Sequence, residues 1–419
     1  MELKPGYKQT EVRAIPADWK VVLLDSVARR GSGHTPDKKH PEYWDGDIKW
    51  ISLKDSDRLD ALYIEETAAK ITPAGIANSS ATMYPAGTVV LSRDAGVGKS
   101  AIMKADMAVS QHFMAWQCSP SLDNHFLYYW LQAEKAEFER IAMGNTIKTI
   151  GLPYFKKLCV PLPHCDEQRT IAGALGNVDA LLGALTQLIA KKRNLKQAAM
   201  QQLLTGNKRL PGFTGQWELK LLGDAGTCLR GVSYNGDSDL SAHDTDHTTR
   251  LLRANNVRDA TVVTSDVQFV NIARVSSNQM LRKDDILICM ANGSKALVGK
   301  AGRFTVNDGY QYTFGAFMGC FRTNSLASNS NFVFYLFQTG RYRNYINNLL
   351  AGSSINNLRP SSIESLGFLF PSIAEQTAIA AVLTDMDAEL AALEQRRAKT
   401  RALKRGMMQE LLTGRIRLV

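Results

Sequence analysis

Residues 164–210 read HCDEQRTIAGALGNVDALLGALTQLIAKKRNLKQAAMQQLLTGNKRL, and residues 372–418 read SIAEQTAIAAVLTDMDAELAALEQRRAKTRALKRGMMQELLTGRIRL. Glu167-Gln168 recurs as Glu375-Gln376, and Leu203-Leu204-Thr205-Gly206 recurs as Leu411-Leu412-Thr413-Gly414. Both pairs stand 208 residues apart, so the two stretches align without a gap. Solenoid repeats run roughly 20–50 residues, so a period this long means two similar domains, each ending in a similar helix.

The helical reading rests on spacing. Ile171, Leu175, Val178, Leu182, Leu185 and Ile189 fall at intervals of four and three, and Ile379, Leu383, Met386, Leu390 and Leu393 repeat the pattern. This is the apolar seam of a coiled coil. The seam then meets Lys192 and Lys196 in one copy and Arg397, Thr400 and Lys404 in the other. Leu195, Ala199 and Leu203, with Leu403, Met407 and Leu411, are expected to resume it one position displaced, through a stutter. Gly206 and Gly414 stand where a helix C-terminus favours a left-handed residue. A helix over 166–204 would be about 58 Å long at roughly 1.5 Å per residue. Neither helix has a sequence neighbour to cover its stripe, so the two are expected to pack on each other. A pseudo-twofold relation makes that pairing antiparallel.

The likeness extends outward. Pro5-Gly6-Tyr7 echoes Pro211-Gly212-Phe213, and Trp19-Lys20-Val21 echoes Trp217-Glu218-Leu219. A turn and short apolar run at 84–92 resembles 281–289, each predicting a buried strand. Phe126–Gln132 resembles Phe332–Gln338, a predicted core helix, and Gly144–Ile147 resembles Gly352–Ile355. The fold class expected is α+β: two pseudo-repeated, α/β-mixed domains separated by the two long helices. The expected boundaries are an N-terminal tail at 1–18, a first globular domain at 19–163, a helix at 164–206, a linker at 207–216, a second globular domain at 217–371 and a second helix at 372–414. Residues 31–80 and 230–280 do not align, so a common scaffold is expected to carry two different surfaces.

The chain has 419 residues, 50 Lys+Arg against 40 Asp+Glu, and a net charge of +10 shared equally by its halves. Spread positive charge favours a polyanion partner. No two of the six cysteines form a CxxC pair and the start lacks an apolar leader, which predicts reduced thiols in a cytosolic protein. No apolar stretch approaches the roughly 20 residues needed to cross a membrane, so no membrane role is expected.

No catalytic centre emerges. Gly96-Val97-Gly98-Lys99-Ser100 resembles the end of a phosphate-binding loop, but Arg93 stands where that loop needs its first glycine. Asp37, Asp47 and Lys49 fit a loose metal-dependent nuclease pattern without a counterpart in the second half. His243 and His247 lie in a polar, turn-rich run and predict no metal site.

Base reading needs forked donors and acceptors on loops at strand ends. The first half offers Ser52, Lys54, Asp55, Ser92, Arg93, Asp94, Lys99, Gln111 and His112. The second offers Arg253, Asn255, Asn256, Asn292, Ser294, Lys295, Gln311 and Tyr312. The competing reading of each is a capping or turn residue.

In these motifs the chain resembles the specificity subunit of type I restriction-modification systems, over essentially its whole length. The resemblance is carried by PGYKQTEVRAIPADW, the junctions PLPHCDEQ and FPSIAEQ, the elements at 144 and 352, and the two MQxLLTG helix ends. Arg13-Ala14, in place of a Val-Gly pair, and Ser372-Ile373, without a second proline, depart slightly. The resemblance implies a non-catalytic DNA reader whose two target-recognition domains each bind half of a bipartite, asymmetric duplex site. The paired helices would set the gap and dock two modification (methyltransferase) subunits that methylate adenine, joined by two restriction (motor-nuclease) subunits. AdoMet, ATP and Mg²⁺ would reside on those partners, with no cofactor on this chain. Two other classes stay open: a stand-alone nuclease using Asp37, Asp47 and Lys49, and a coiled-coil scaffold without a DNA role.

Overall fold

The computed structural model describes residues 5–10, 14–144, 148–351 and 356–418. Most of the elements at 144–147 and 352–355, and residues 11–13, therefore lie outside the described residues. The chain divides into two compact units, residues 1–186 with 395–419, and residues 187–394. Each unit thus takes a piece of both long helices, Cys165–Leu203 and Ile373–Leu411, both 39 residues long.

In unit 1 a five-stranded sheet runs in the order Ala28–Gly31, Phe113–Cys118, Val89–Ser92, Ser100–Met103 and Tyr63–Ile64. A four-stranded sheet runs Ala69–Ile71, Trp44–Ile51, Met107–Val109 and Met83–Tyr84. Unit 2 repeats the plan. Its first sheet runs Gly226–Arg230, Met318–Thr323, Ile286–Cys289, Ala301–Arg303, Thr261–Val262 and Val257–Arg258. Its second runs Leu240–Ser241, Gln268–Asn271, Thr248–Leu252 and Tyr312–Phe314. The same mixture of antiparallel and parallel pairs recurs: Met107–Val109 lies parallel to Trp44–Ile51, as Tyr312–Phe314 does to Thr248–Leu252.

The expected core helices are present. Asn124–Ala133 starts on Asp123, whose carboxylate accepts from the His125 and Phe126 amides, and Ser330–Leu336 starts on Asn329, which accepts from Phe332. Capping satisfies amides that have no partner inside the helix. Phe126 to Leu131 and Phe332 to Leu336 are buried without a polar stripe, so these helices are enclosed rather than amphipathic.

The repeated Glu-Gln pair ties each long helix to its unit. Gln168 is fully buried; its Oε1 accepts from the Asp123 amide at 2.8 Å and its Nε2 donates to the Pro163 carbonyl at 2.9 Å. Gln376 does the same with the Asn329 amide and the Pro371 carbonyl, both at 2.9 Å. Glu167 accepts from the Trp19 indole at 3.0 Å and from Arg417 Nη2 at 2.9 Å. Glu375 accepts from the Trp217 indole at 3.2 Å and from Arg209 Nη2 at 2.6 Å. In unit 2 one continuous stretch supplies both Arg209 and Trp217. In unit 1 the partners come from opposite ends of the chain, and Tyr7 adds a bond from its hydroxyl to the Gly414 carbonyl at 2.6 Å. Gly206 and Gly414 have φ of +74° and +70°, and a Cβ on Gly414 would stand 2.4 Å from Pro16.

The seam requires a correction. Ile171, Leu175, Leu185, Ile189, Ile379, Leu383 and Leu390 are buried, and Val178, Leu182, Met386 and Leu393 are half-buried. Leu195 and Leu403, expected to carry a displaced seam, are 47 % and 59 % exposed. The original register instead continues unbroken through Lys192 and Lys196 to Leu203, and through Arg397, Thr400 and Lys404 to Leu411. The seam lysines are paired. In unit 1 Lys404 meets Asp179 at 2.7 Å, and Tyr129 donates to the same carboxylate at 2.9 Å. In unit 2 Lys196 meets Asp387, which also accepts from Tyr335 at 2.8 Å. With Ile171 and Leu175 in one core with Leu411 and Leu412, and Leu203 in one with Ile379 and Leu383, the helix segments within each unit run antiparallel. Polar seam residues fix register at some expense of stability.

The first long helix also contains an 18-residue window of mean hydropathy 1.2, long enough to span a bilayer, contrary to the expectation that no such stretch exists. One helix of this kind, with its apolar seam already paired, carries no membrane assignment. All six cysteines are free thiols. Burial pushes Cys118 and Cys228 up to about 12, which keeps them protonated and unreactive at neutral pH.

Glu167→Ala will leave the buried Trp19 indole without its acceptor and Arg417 with Asp18 alone, and will destabilise the protein by about 2–3 kcal/mol in a denaturant titration. Glu410→Ala, which removes a surface pair with Arg415, will change stability by less than about 0.5 kcal/mol. Equal effects would mean that Glu167 anchors nothing.

Candidate nucleic-acid interface

In each unit three loops meet beside the ends of the central strands, and backbone bonds fix which positions correspond. In unit 1 the Arg93 amide donates to the His112 carbonyl at 3.0 Å, and Asp94 bridges antiparallel to Thr149. In unit 2 the Met290 amide donates to the Phe317 carbonyl at 2.9 Å, and Ala291 bridges antiparallel to Asn357. The set Arg93, Asp94, His112, Thr149 therefore corresponds to Met290, Ala291, Phe317, Asn357.

The chemistry at these four positions differs completely. Asp94 collects His112 Nδ1 at 2.6 Å, the Thr149 hydroxyl and Arg93 Nε at 3.5 Å. With Nδ1 donating to Asp94, a neutral His112 keeps Nε2 as an acceptor. Its unit 2 counterpart is a phenyl ring on a residue 71 % exposed. Phe317 and Asn357 line a groove of about 1130 Å³ together with three predicted residues, Arg253, Asn255 and Asn292. Asp266 holds two of these three, accepting from Asn255 Nδ2 at 2.7 Å and facing Arg253 Nη2 at 3.4 Å.

Several predicted residues serve the fold instead. Asp55 is fully buried and accepts from the Ser52 amide at 3.0 Å, the Ser52 hydroxyl at 3.1 Å and the Ala68 amide. Asn256 occupies the same place in unit 2, also fully buried, accepting from the Arg253 amide at 2.8 Å and donating to the Val263 and Ser265 carbonyls. Ser92 is buried and donates to the Asp94 carbonyl at 2.6 Å. Lys99 donates to the Ser56 carbonyl at 2.9 Å, which ties the glycine-rich hairpin to the turn Leu53–Arg58. Tyr312 is 2 % exposed; burial and its bond to Asp308 push its phenol up. Ser52, Asp55, Ser92, Asn256 and Tyr312 are thus withdrawn from base contact.

The candidates Gln311 and Tyr312 do not stand at the positions of Gln111 and His112. The true counterparts are Ala316-Phe317, because Ser110 bonds the Ile51 carbonyl as Gly315 bonds that of Leu252. Gln311 lends its carbonyl to Thr249 at 3.1 Å. Lys54, Gln111, Ser294 and Lys295 stay exposed; Gln111 accepts from Thr35 at 2.7 Å, and Lys295 lies 3.4 Å from the Leu350 carbonyl. The sequence missed Phe317, Asn357 and Thr149. An exposed phenylalanine looks like a core residue in sequence, and Asn357 and Thr149 are identified only by their bridges.

The alternative nuclease set is not assembled. Lys49 is committed to the Glu65 carbonyl at 2.6 Å and Glu66 at 2.8 Å, and the Asp37 carboxylate accepts from the Lys39 amide. Among the described residues no group of three His, Cys, Asp or Glu side chains could hold a metal ion.

A family model, the type I restriction modification DNA specificity domain, matches residues 16–195 and again 216–401. The chain belongs to this family. Its two matches cover both halves of the repeat, so both units are specificity domains. Among curated relatives, the type I restriction enzyme MjaIX specificity subunit of Methanocaldococcus jannaschii is 30 % identical over 178 residues, 42 % of this chain and 41 % of the relative. The EcoKI specificity subunit of Escherichia coli K12 is 30 % identical over 200 residues, 48 % of this chain and 42 % of the relative. These matches span about two fifths of the relatives' length. The MjaVIII specificity subunit of M. jannaschii aligns over 99 % of this chain and 96 % of its own length at 21 % identity. The crystal structure of a type I restriction-modification S subunit from M. genitalium shares the fold, with TM-score 0.60 and 15 % identity over 98 % of both chains.

Asp55→Ala and Asn256→Ala will each lower stability by about 1–3 kcal/mol, because buried amides and a hydroxyl lose their acceptor. A thermal melt indistinguishable from the parent would restore these two residues as surface contacts.

Proposed function

We propose that this specificity-family chain reads a bipartite, asymmetric duplex DNA site, one half with each unit. The observation that carries this reading is the contrast at corresponding positions on one shared scaffold: Arg93, His112 and Thr149 around Asp94 in unit 1, and Phe317 and Asn357 beside Ala291 in unit 2, where Met290, the counterpart of Arg93, is buried in the core. Uniform chemistry would suit a symmetric site; divergent chemistry on corresponding strands suits two different half-sites. The excess of positive charge supplies attraction to phosphates that carries no sequence information.

The long helices, paired as an antiparallel coiled coil about a pseudo-twofold axis, act as the spacer between half-sites, roughly one helical turn or 34 Å of duplex. They dock two methyltransferase subunits, which bring AdoMet and methylate adenine at N6. Two motor-nuclease subunits add ATP-driven, Mg²⁺-dependent cleavage. The chain performs no chemistry itself and works in the prokaryotic cytoplasm. A purified chain that cuts or methylates DNA unaided would overturn this.

Exchange of residues 19–160 for those of another family member will change one half of the recognised site and leave the other intact, as read by the positions of methylated adenines. A change in both halves would refute independent reading. One heptad inserted into each long helix will lengthen the gap between the halves, and an unchanged gap would refute the spacer role. Arg93→Ala will weaken binding by about 1–3 kcal/mol on the cognate duplex if the guanidinium forks a guanine. An equal loss on all sequences would reduce Arg93 to a phosphate contact.

A further inference from the structure

Phe317 is held out of the core by its own backbone. Its carbonyl accepts from the Met290 amide at 2.9 Å and the Ala291 amide at 3.1 Å, and the next amide, that of Met318, closes a turn onto the Gly315 carbonyl at 2.8 Å. These bonds fix the main chain, so the ring cannot sink inward without breaking them, and the residue stays 71 % exposed. Beside it, Asn357 bridges to Ala291. Its counterpart Thr149 is tied by its hydroxyl to Asp94. Ala291 offers no carboxylate, and the Asn357 side-chain carboxamide has no partner among the described residues. Arg253 is the one charged side chain among the described residues of the groove, and Asp266 faces it.

With Arg253 facing Asp266, the groups that Phe317 and Asn357 present are one exposed ring and one free carboxamide, which together match the major-groove edge of an A·T pair. In the major groove adenine presents N7 as acceptor and its N6 amine as donor, which an Asn side chain satisfies together, and thymine presents a methyl group that suits an apolar side chain. We propose that unit 2 reads an A·T step, with Asn357 Nδ2 donating to adenine N7, Asn357 Oδ1 accepting from the N6 amine, and the Phe317 ring covering the thymine methyl. This rests on the reading that each unit binds duplex DNA. It goes further by assigning the base class and the two side chains that select it. In unit 1 the counterparts of Phe317 and Asn357 are His112 and Thr149, both tied to Asp94, so the same pair of contacts is not repeated there.

The test uses the full chain in complex with the methyltransferase subunits that the proposed function assigns to it. Selection from a randomised duplex pool first yields the bound sequence; failure to enrich any bipartite sequence would count against the DNA-reading function itself. On the enriched duplex, each thymine of the unit 2 half-site is then replaced by uracil, which removes one methyl group. One replacement is expected to weaken binding about fourfold, the worth of one buried methylene-sized group. Phe317→Ala should bind the thymine and uracil duplexes alike, and Asn357→Ala should lose about fivefold or more at the partnered adenine alone. Both side chains are exposed, so neither change empties the core. An enriched site with no uracil-sensitive thymine, or variants that keep every base preference, would overturn the assignment while leaving DNA reading intact. Loss of the methyltransferase subunits from Phe317→Ala, with base preference unchanged, would likewise overturn it and make Phe317 a protein contact.

Discussion

The buried Glu-Gln pair at the start of each long helix is the constraint on which the rest of the structure depends. Gln168 and Gln376 each join the helix start to the cap of a buried core helix and to the preceding proline carbonyl. Glu167 and Glu375 each hold a tryptophan indole and an arginine. A carboxylate without water is costly unless it is fully bonded, so these partners must be present for the unit to close. The helix is thereby welded to its globular part, and a displacement of the one must carry the other. A spacer made of long helices can set a distance only if such joints are stiff.

The same joints explain how the two halves could diverge in chemistry without diverging in fold. The loops that carry the candidate readers are positioned by backbone bonds, Arg93 to His112 and Met290 to Phe317, that any side chain permits. The side chains that stay exposed there, such as Phe317, are then free to vary, whereas Met290 packs into the core. Residues whose side chains do the structural bonding, Asp55 with Ser52 and Asn256 with the Arg253 amide, keep a related role in both units.

Much of this was legible in the sequence. The duplicated seam shows because a period of three and four is independent of context, and the Glu-Gln and Gly landmarks show because they recur without a gap. Lys196 and Lys404 were misread as a break, since a charged residue in a seam makes sense only once Asp387 and Asp179 are seen facing it. Tyr312 has the composition of a reader but lies buried in a strand, and only the backbone pairing shows that Phe317 stands where His112 does. Ser52, Asp55 and Asn256 have the composition of readers but the bonding of caps. Phe317 carries no signal at all: one apolar residue near Phe314 reads as core until its exposure is known.

The central claim is that one chain reads two different half-sites at a fixed separation. Mapping methylated adenines across the genome of the source cell, with this gene present and then deleted, tests it most directly. The account predicts one asymmetric motif in two parts with a constant unspecified gap, methylated when the gene is present and lost when it is deleted. A motif that persists after deletion, or one that is continuous or palindromic, would contradict it.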